Sequence, residues 1–152
     1  MTSILELILG RQRVLVKENE RVVVLHKGRI LGIYGPGEHM LPRRGGDLEV
    51  IRHDLASVTF TSAYEKALFD RLPDVAAHHL TAYRTGTGEV MVLERDGQIY
   101  TVFAPNQKMT VWNDAGPWKE TRFDVTGDLT VDPALVRRLV AARRAALLTN
   151  ST

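Results

Sequence analysis

Residues 20–42 read ERVVVLHKGRILGIYGPGEHMLP, and their reading decides the fold. Arg21 to His26 is a strand whose run Val22, Val23, Val24, Leu25 is apolar on both faces, the mark of a central strand covered on two sides. Lys27-Gly28 is a two-residue hairpin loop, with Gly28 supplying a positive φ. Arg29 to Tyr34 returns antiparallel. Gly35-Pro36-Gly37 ends it, because proline fixes φ and removes a donor while the flanking glycines permit a sharp reversal. Residues 89–111, EVMVLERDGQIYTVFAPNQKMTV, repeat the stretch without a gap. Gly28 matches Gly97, and the same spacing pairs Glu20 with Glu89, Val23 with Val92, Ile30 with Ile99, Pro36 with Pro105 and Met40 with Met109. An internal repeat of this kind is one structural unit built twice.

Composition bounds the rest. The chain has 152 residues, a formal charge of +2 and no cysteine. It is long enough to bury a core without staples. The lack of cysteine excludes thiol catalysis, thiolate metal ligation and disulfides, and fits a cytoplasmic protein. The mild basic balance is no nucleic-acid signature, and no nucleic-acid partner is expected. No apolar run reaches the ~20 residues of a membrane-spanning helix. The patch Ile4, Leu5, Leu7, Ile8, Leu9 lacks the flanks of a signal peptide and reads as a first strand or short helix packed on the core, with a place on a membrane surface as the alternative.

Outward from the repeat, Arg13 to Lys17 alternates as a strand. His39 to Leu41 is a short strand and Asp47 to Leu55 a longer one. Ser62-Ala63-Tyr64-Glu65 fits a capping box and predicts a helix to about Leu72. Pro73 breaks it, and a second helix is expected from Asp74 to Tyr83. Asp96-Gly97 is the strongest hairpin signal in the chain. Further strands are expected at Lys108 to Trp112, Trp118 to Val125 and Leu129 to Val131. Asp132 and Pro133 then start a C-terminal helix. The expected fold is α+β: residues 1–60 a first β repeat, 61–86 a helical connector, 87–131 a second β repeat, and 132–152 a C-terminal helix and tail.

Glu20-Arg21-Val22-Val23-Val24, then Gly28-Arg29, then Gly35-Pro36-Gly37-Glu38-His39 and Pro42 resemble the opening of the stomatin-type (slipin) branch of the stomatin, prohibitin and flotillin family, also called SPFH or band-7. Residues 18–55 carry the resemblance well and 87–125 carry it as a weakened copy. It implies a non-enzymatic scaffold that oligomerises, often as large rings at a membrane, and organises lipid or protein partners. The chain then reads as a tandem pair of opening modules, either a fragment of a longer slipin-like protein or a stand-alone form.

No catalytic constellation, cofactor site or metal site is expected. His78 and His79 are neighbours on a predicted helix and diverge, whereas a zinc pair wants i, i+4 spacing and a third ligand. His53 and Asp54 face opposite sides of a strand. Thr85-Gly86-Thr87-Gly88 leads into a strand, not a helix, so it is a linker and no phosphate loop. Gly28, Gly35, Pro36, Gly37, His39, Gly97 and Pro105 are structural turn residues, with His39 bonded to backbone. The candidate interface is the last helix, with Leu135, Leu139 and Val140 on its apolar side and Arg137, Arg138 and Arg144 on its polar side. The leading function is therefore assembly with itself or a protein partner, near the inner face of a membrane. The alternative is a small-ligand module with a pocket between the repeats lined by Tyr34, Phe103 and Trp112.

Overall fold

The computed structural model describes residues 10–43, 45–126 and 137–138. The elements are β1 (Arg11–Val16), β2 (Glu20–His26), β3 (Arg29–Tyr34), β4 (Gly37–Pro42), β5 (Glu49–Asp54), α1 (Glu65–Arg71), α2 (Pro73–His79), β6 (Leu80–Arg84), β7 (Glu89–Arg95), β8 (Gln98–Phe103), β9 (Lys108–Trp112), a 3-10 turn (Asn113–Ala115) and β10 (Trp118–Asp124). Antiparallel sheets with two short helices make the fold α+β. The chain divides into two compact units, Met1–Thr81 with Thr110–Ala115, and Ala82–Met109 with Gly116–Thr152. Helices α1 and α2 fall within the first unit.

In the first unit β2 is the centre of the sheet β3-β2-β5, and β1 pairs with β4. Val22 to Leu25 are at most 2% exposed. On one face Val22 and Val24 join Val14, Val16, Leu41 and Leu48 in a common core. Burial of each such side chain is worth about 1.5–3 kcal/mol. In the second unit β7 is the centre of β10-β7-β8, and Met91, Leu93 and Phe103 form its core.

The duplication extends beyond the repeated stretch. Both hairpins turn through two residues at positive φ, Lys27 and Gly28 in one, Asp96 and Gly97 in the other. Both carry a bulge at the same place, between Val24 and Leu25 and between Leu93 and Glu94. The third strands also correspond, since Glu20 lies opposite Asp54 and Glu89 opposite Asp124. An ion-pair clamp recurs too. Arg52 Nη1 donates to the Leu15 carbonyl at 2.7 Å and to Glu20 at 3.0 Å, and Arg122 Nη1 donates to the Arg84 carbonyl and to Glu89, each at 2.6 Å. Even the exit turns match, with Asp54 accepting from the Ala56 amide and Asp124 from the Thr126 amide. The shared Glu20 and Glu89 are thus acceptors that tie three strands together.

The structure corrects several sequence expectations. Helix α1 begins at Glu65, and its N-cap Tyr64 makes no side-chain cap. Ser62 Oγ does accept the Tyr64 amide at 3.1 Å, and Glu65 accepts from the Thr110 hydroxyl. The second helix stops at His79, where an extended Leu80 caps it. Residues 80–84 are strand β6, paired with β9, because Thr81 and Tyr83 suit a pleated ladder and the duplicated unit needs a partner for β9. The expected strand Leu129 to Val131, the patch Ile4 to Leu9 and nearly all of the C-terminal helix lie outside the described residues.

The two hairpins differ in the residue asked to adopt the left-handed conformation. Lysine pays a steric penalty there that asparagine and aspartate largely avoid. Lys27→Asn is expected to raise the thermal midpoint, by the equivalent of about 0.5–1 kcal/mol, while Asp96→Asn leaves it nearly unchanged. Differential scanning calorimetry of both variants checks this.

Candidate functional site

The Gly-Pro-Gly-x-His turn is closed by its histidine. His39 Nε2–H donates to the Gly35 carbonyl at 2.8 Å, and the ring lies 5.0 Å from that of Tyr34. Gly37 sits at a φ of 129°, which only glycine adopts without strain. Pro36 is exposed at the tip. The second turn, Ala104-Pro105-Asn106, reaches the same end by another route. Asn106 takes the positive φ, and the Gln107 side chain accepts the Ala104 amide at 3.0 Å. Gly28 and Gly97 supply the hairpin turns described above.

Of the candidate interface, Leu135, Leu139, Val140 and Arg144 lie outside the described residues. Arg137 and Arg138 are helical and exposed. Arg138 is committed within the chain: it pairs with Glu94 and donates to the Gly97 carbonyl at 3.0 Å. Glu94 occupies the position matching Leu25 and is buried. A carboxylate there demands a cation, and Arg138 meets the demand. The sequence signal was a lone Glu at the end of an otherwise apolar run.

Arg21 is a second functional group that sequence reasoning passed over. It is 7% exposed, donates through Nε and Nη2 to Asp114 at 3.1 and 2.7 Å, and through Nη1 to the Glu18 carbonyl at 3.0 Å. This fork fixes the 3-10 turn to β2. Nearby, Trp112 packs against Phe60 and His53, with ring centroids 5.2 and 5.3 Å away. Trp112 is therefore a core residue of the first unit and Phe103 a core residue of the second, each at most 2% exposed. Tyr34 instead lines an open cavity of about 530 Å³ within the first unit. Its walls combine apolar Val24, Ile30, Leu41 and Leu48 with the basic groups Arg29 and Arg71.

Sheet edges form the other exposed feature. Strand β8 ends its sheet among the described residues and presents Tyr100 and Val102, 40% and 44% exposed. On the β1–β4 ladder Leu15 and Met40 are exposed beside the Arg13–Glu38 ion pair.

Among the described residues no group of three His, Asp or Glu side chains is placed to hold a metal, and no helix is long and apolar enough to cross a membrane. No family model, curated protein or solved structure matches the chain.

Burial pushes the imidazoles of His53 and His79 below their usual range, and the neighbouring His78 lowers His79 further. The folded state thus binds these protons less readily than the unfolded state does. Stability is full above the ordinary imidazole value near 6.5 and falls as pH drops below it toward the depressed folded values. His53→Phe preserves the aromatic packing and removes one of these groups. Its thermal midpoint is expected to fall less than that of the parent chain between pH 7.5 and 5.5 (about two units across the imidazole range), as read by circular dichroism melts.

Proposed function

We propose that the chain is a slipin-like assembly module: a non-enzymatic scaffold that associates with itself or with a protein partner, in the cytoplasm and peripheral to the inner face of a membrane. The observation that carries this reading is the edge strand β8. Its sequence, Gln98-Ile99-Tyr100-Thr101-Val102-Phe103, holds no charged residue and no proline. Edge strands of proteins that stay monomeric are guarded by such residues, because unpaired amides and carbonyls template pairing with another chain. Here the strand itself carries neither guard, and among the described residues its Tyr100 and Val102 side chains are exposed. The slipin-type pattern of residues 18–55 supports the same reading, and so does the duplication, which places two related surfaces on one chain.

Light scattering coupled to size exclusion tests it. The expected mass is several times the 17.0 kDa of the chain. Val102→Lys, which charges the edge, is expected to lower that mass, and Leu139→Asp tests the last helix in parallel. A parent chain that stays monomeric at all concentrations, or an assembly indifferent to both substitutions, removes the reading.

A further inference from the structure

The cavity of the first unit has a composition that the β fold itself does not require. Its volume of about 530 Å³ lies in the range of small-ligand sites. No carboxylate lines it, while Arg29 from the start of β3 and Arg71 from the end of α1 both do. Four other arginines of this unit have acidic partners: Arg13 with Glu38, Arg21 with Asp114, Arg43 with Asp47 and Arg52 with Glu20. Arg29 and Arg71 have none among the described residues. Both side chains are exposed and both border the cavity, so an anion held between them is attracted by each. His26 stands on the same wall, and its buried Nε2 lacks a hydrogen-bond partner.

The second unit acts as an internal control. Its strands follow the same register, but the position matching Arg29 is Gln98 and the position matching Tyr34 is Phe103, which is buried in the core. Arg29 is therefore not a requirement of the repeated β unit. Apart from the Tyr34 phenol, the rest of the lining, with Val24, Ile30, Leu31, Leu41, Leu48 and Leu72, is apolar and suits a hydrocarbon body.

We propose that this cavity binds a carboxylate or phosphate group carried on an apolar chain, with the Arg29 and Arg71 guanidiniums on the anion and the chain against the leucine-rich wall. Guanidinium is the side chain best matched to both anions, through paired parallel hydrogen bonds. The proposal stands apart from assembly through β8, since no β8 residue lines the cavity.

Calorimetric titration of the full chain with dodecanoate, dodecyl phosphate, dodecanol and inorganic phosphate, each below its micelle concentration, tests it. The two amphiphilic anions are expected to bind one per chain. Arg29→Gln and Arg71→Gln are each expected to weaken them by about tenfold or more, while Arg13→Gln leaves them unchanged. Arg29→Gln is the residue the second unit already carries at this place, so the fold tolerates it, and a circular dichroism melt of each variant verifies that. Dodecanol binding as tightly as the anions, inorganic phosphate binding as tightly as dodecyl phosphate, equal weakening by Arg13→Gln, or no binding at all each overturns the proposal. Flotation with vesicles containing phosphatidic acid separates the two sources. Binding to them that is lost in Arg29→Gln assigns a membrane lipid, and binding of the monomeric amphiphiles alone assigns a free acid or ester.

Discussion

Strand β2 is apolar on both faces, and a strand of that kind has to be covered twice. This constraint organises the first unit. One face is covered by the β1–β4 ladder, which brings Val14, Val16 and Leu41 onto Val22 and Val24. Toward the other side the chain supplies α2, packed along β3, and a returning segment whose Asp114 holds Arg21. Helices and returning segment alike are consequences of having four consecutive large apolar residues in the middle of a sheet. The second unit starts from a weaker version of the same constraint. Its run ends in Glu94 where the first has Leu25, so part of the cover must be ionic, and Arg138 provides it.

What the two units share is informative about what the unit needs. Core side chains drift, with Val22 and Val24 replaced by Met91 and Leu93, because a core accepts any set of apolar groups of suitable total volume. Polar devices drift less. The glutamate that opens the central strand, the arginine it pairs with on the third strand and the strand carbonyl that shares this arginine recur in both. Each clamp is partly exposed and contributes on the order of 1 kcal/mol or less. Its value lies in register: a one-residue slip would turn the whole apolar set outward, and the clamp closes in one register only.

Much of this was legible in the sequence. Gly28 and Gly97 located both hairpins, and the run Val22 to Leu25 located the central strand. The polarity of Ser62 pointed to the start of α1. The limits of legibility were physical. Strand β6 was hidden because residues 80–84, LTAYR, share no identity with their counterpart in β1, and a short amphipathic segment after a helix reads as more helix. The Glu65–Thr110 and Arg21–Asp114 contacts join residues far apart in the chain, and nothing local announces them. The cavity is a property of four elements at once, β2, β3, β4 and α1. Its two arginines belong to a hairpin and to a helix end, where isolated basic residues are ordinary surface features.

The division of the chain has a bearing on how the molecule can be taken apart. Thr110–Ala115 belongs to the first unit although it follows β7 and β8 of the second. The Thr85 to Gly88 joint looks like a place to cut, yet a fragment ending there would lose Trp112, which covers His53 and Phe60, and Asp114, which neutralises Arg21. It would carry a stripped aromatic face and a buried unpaired guanidinium. The two units are repeats by sequence without being separable modules. A truncation or fusion that respects the repeat boundary breaks the first core, and a faithful minimal piece has to keep both halves of the chain through Ala115.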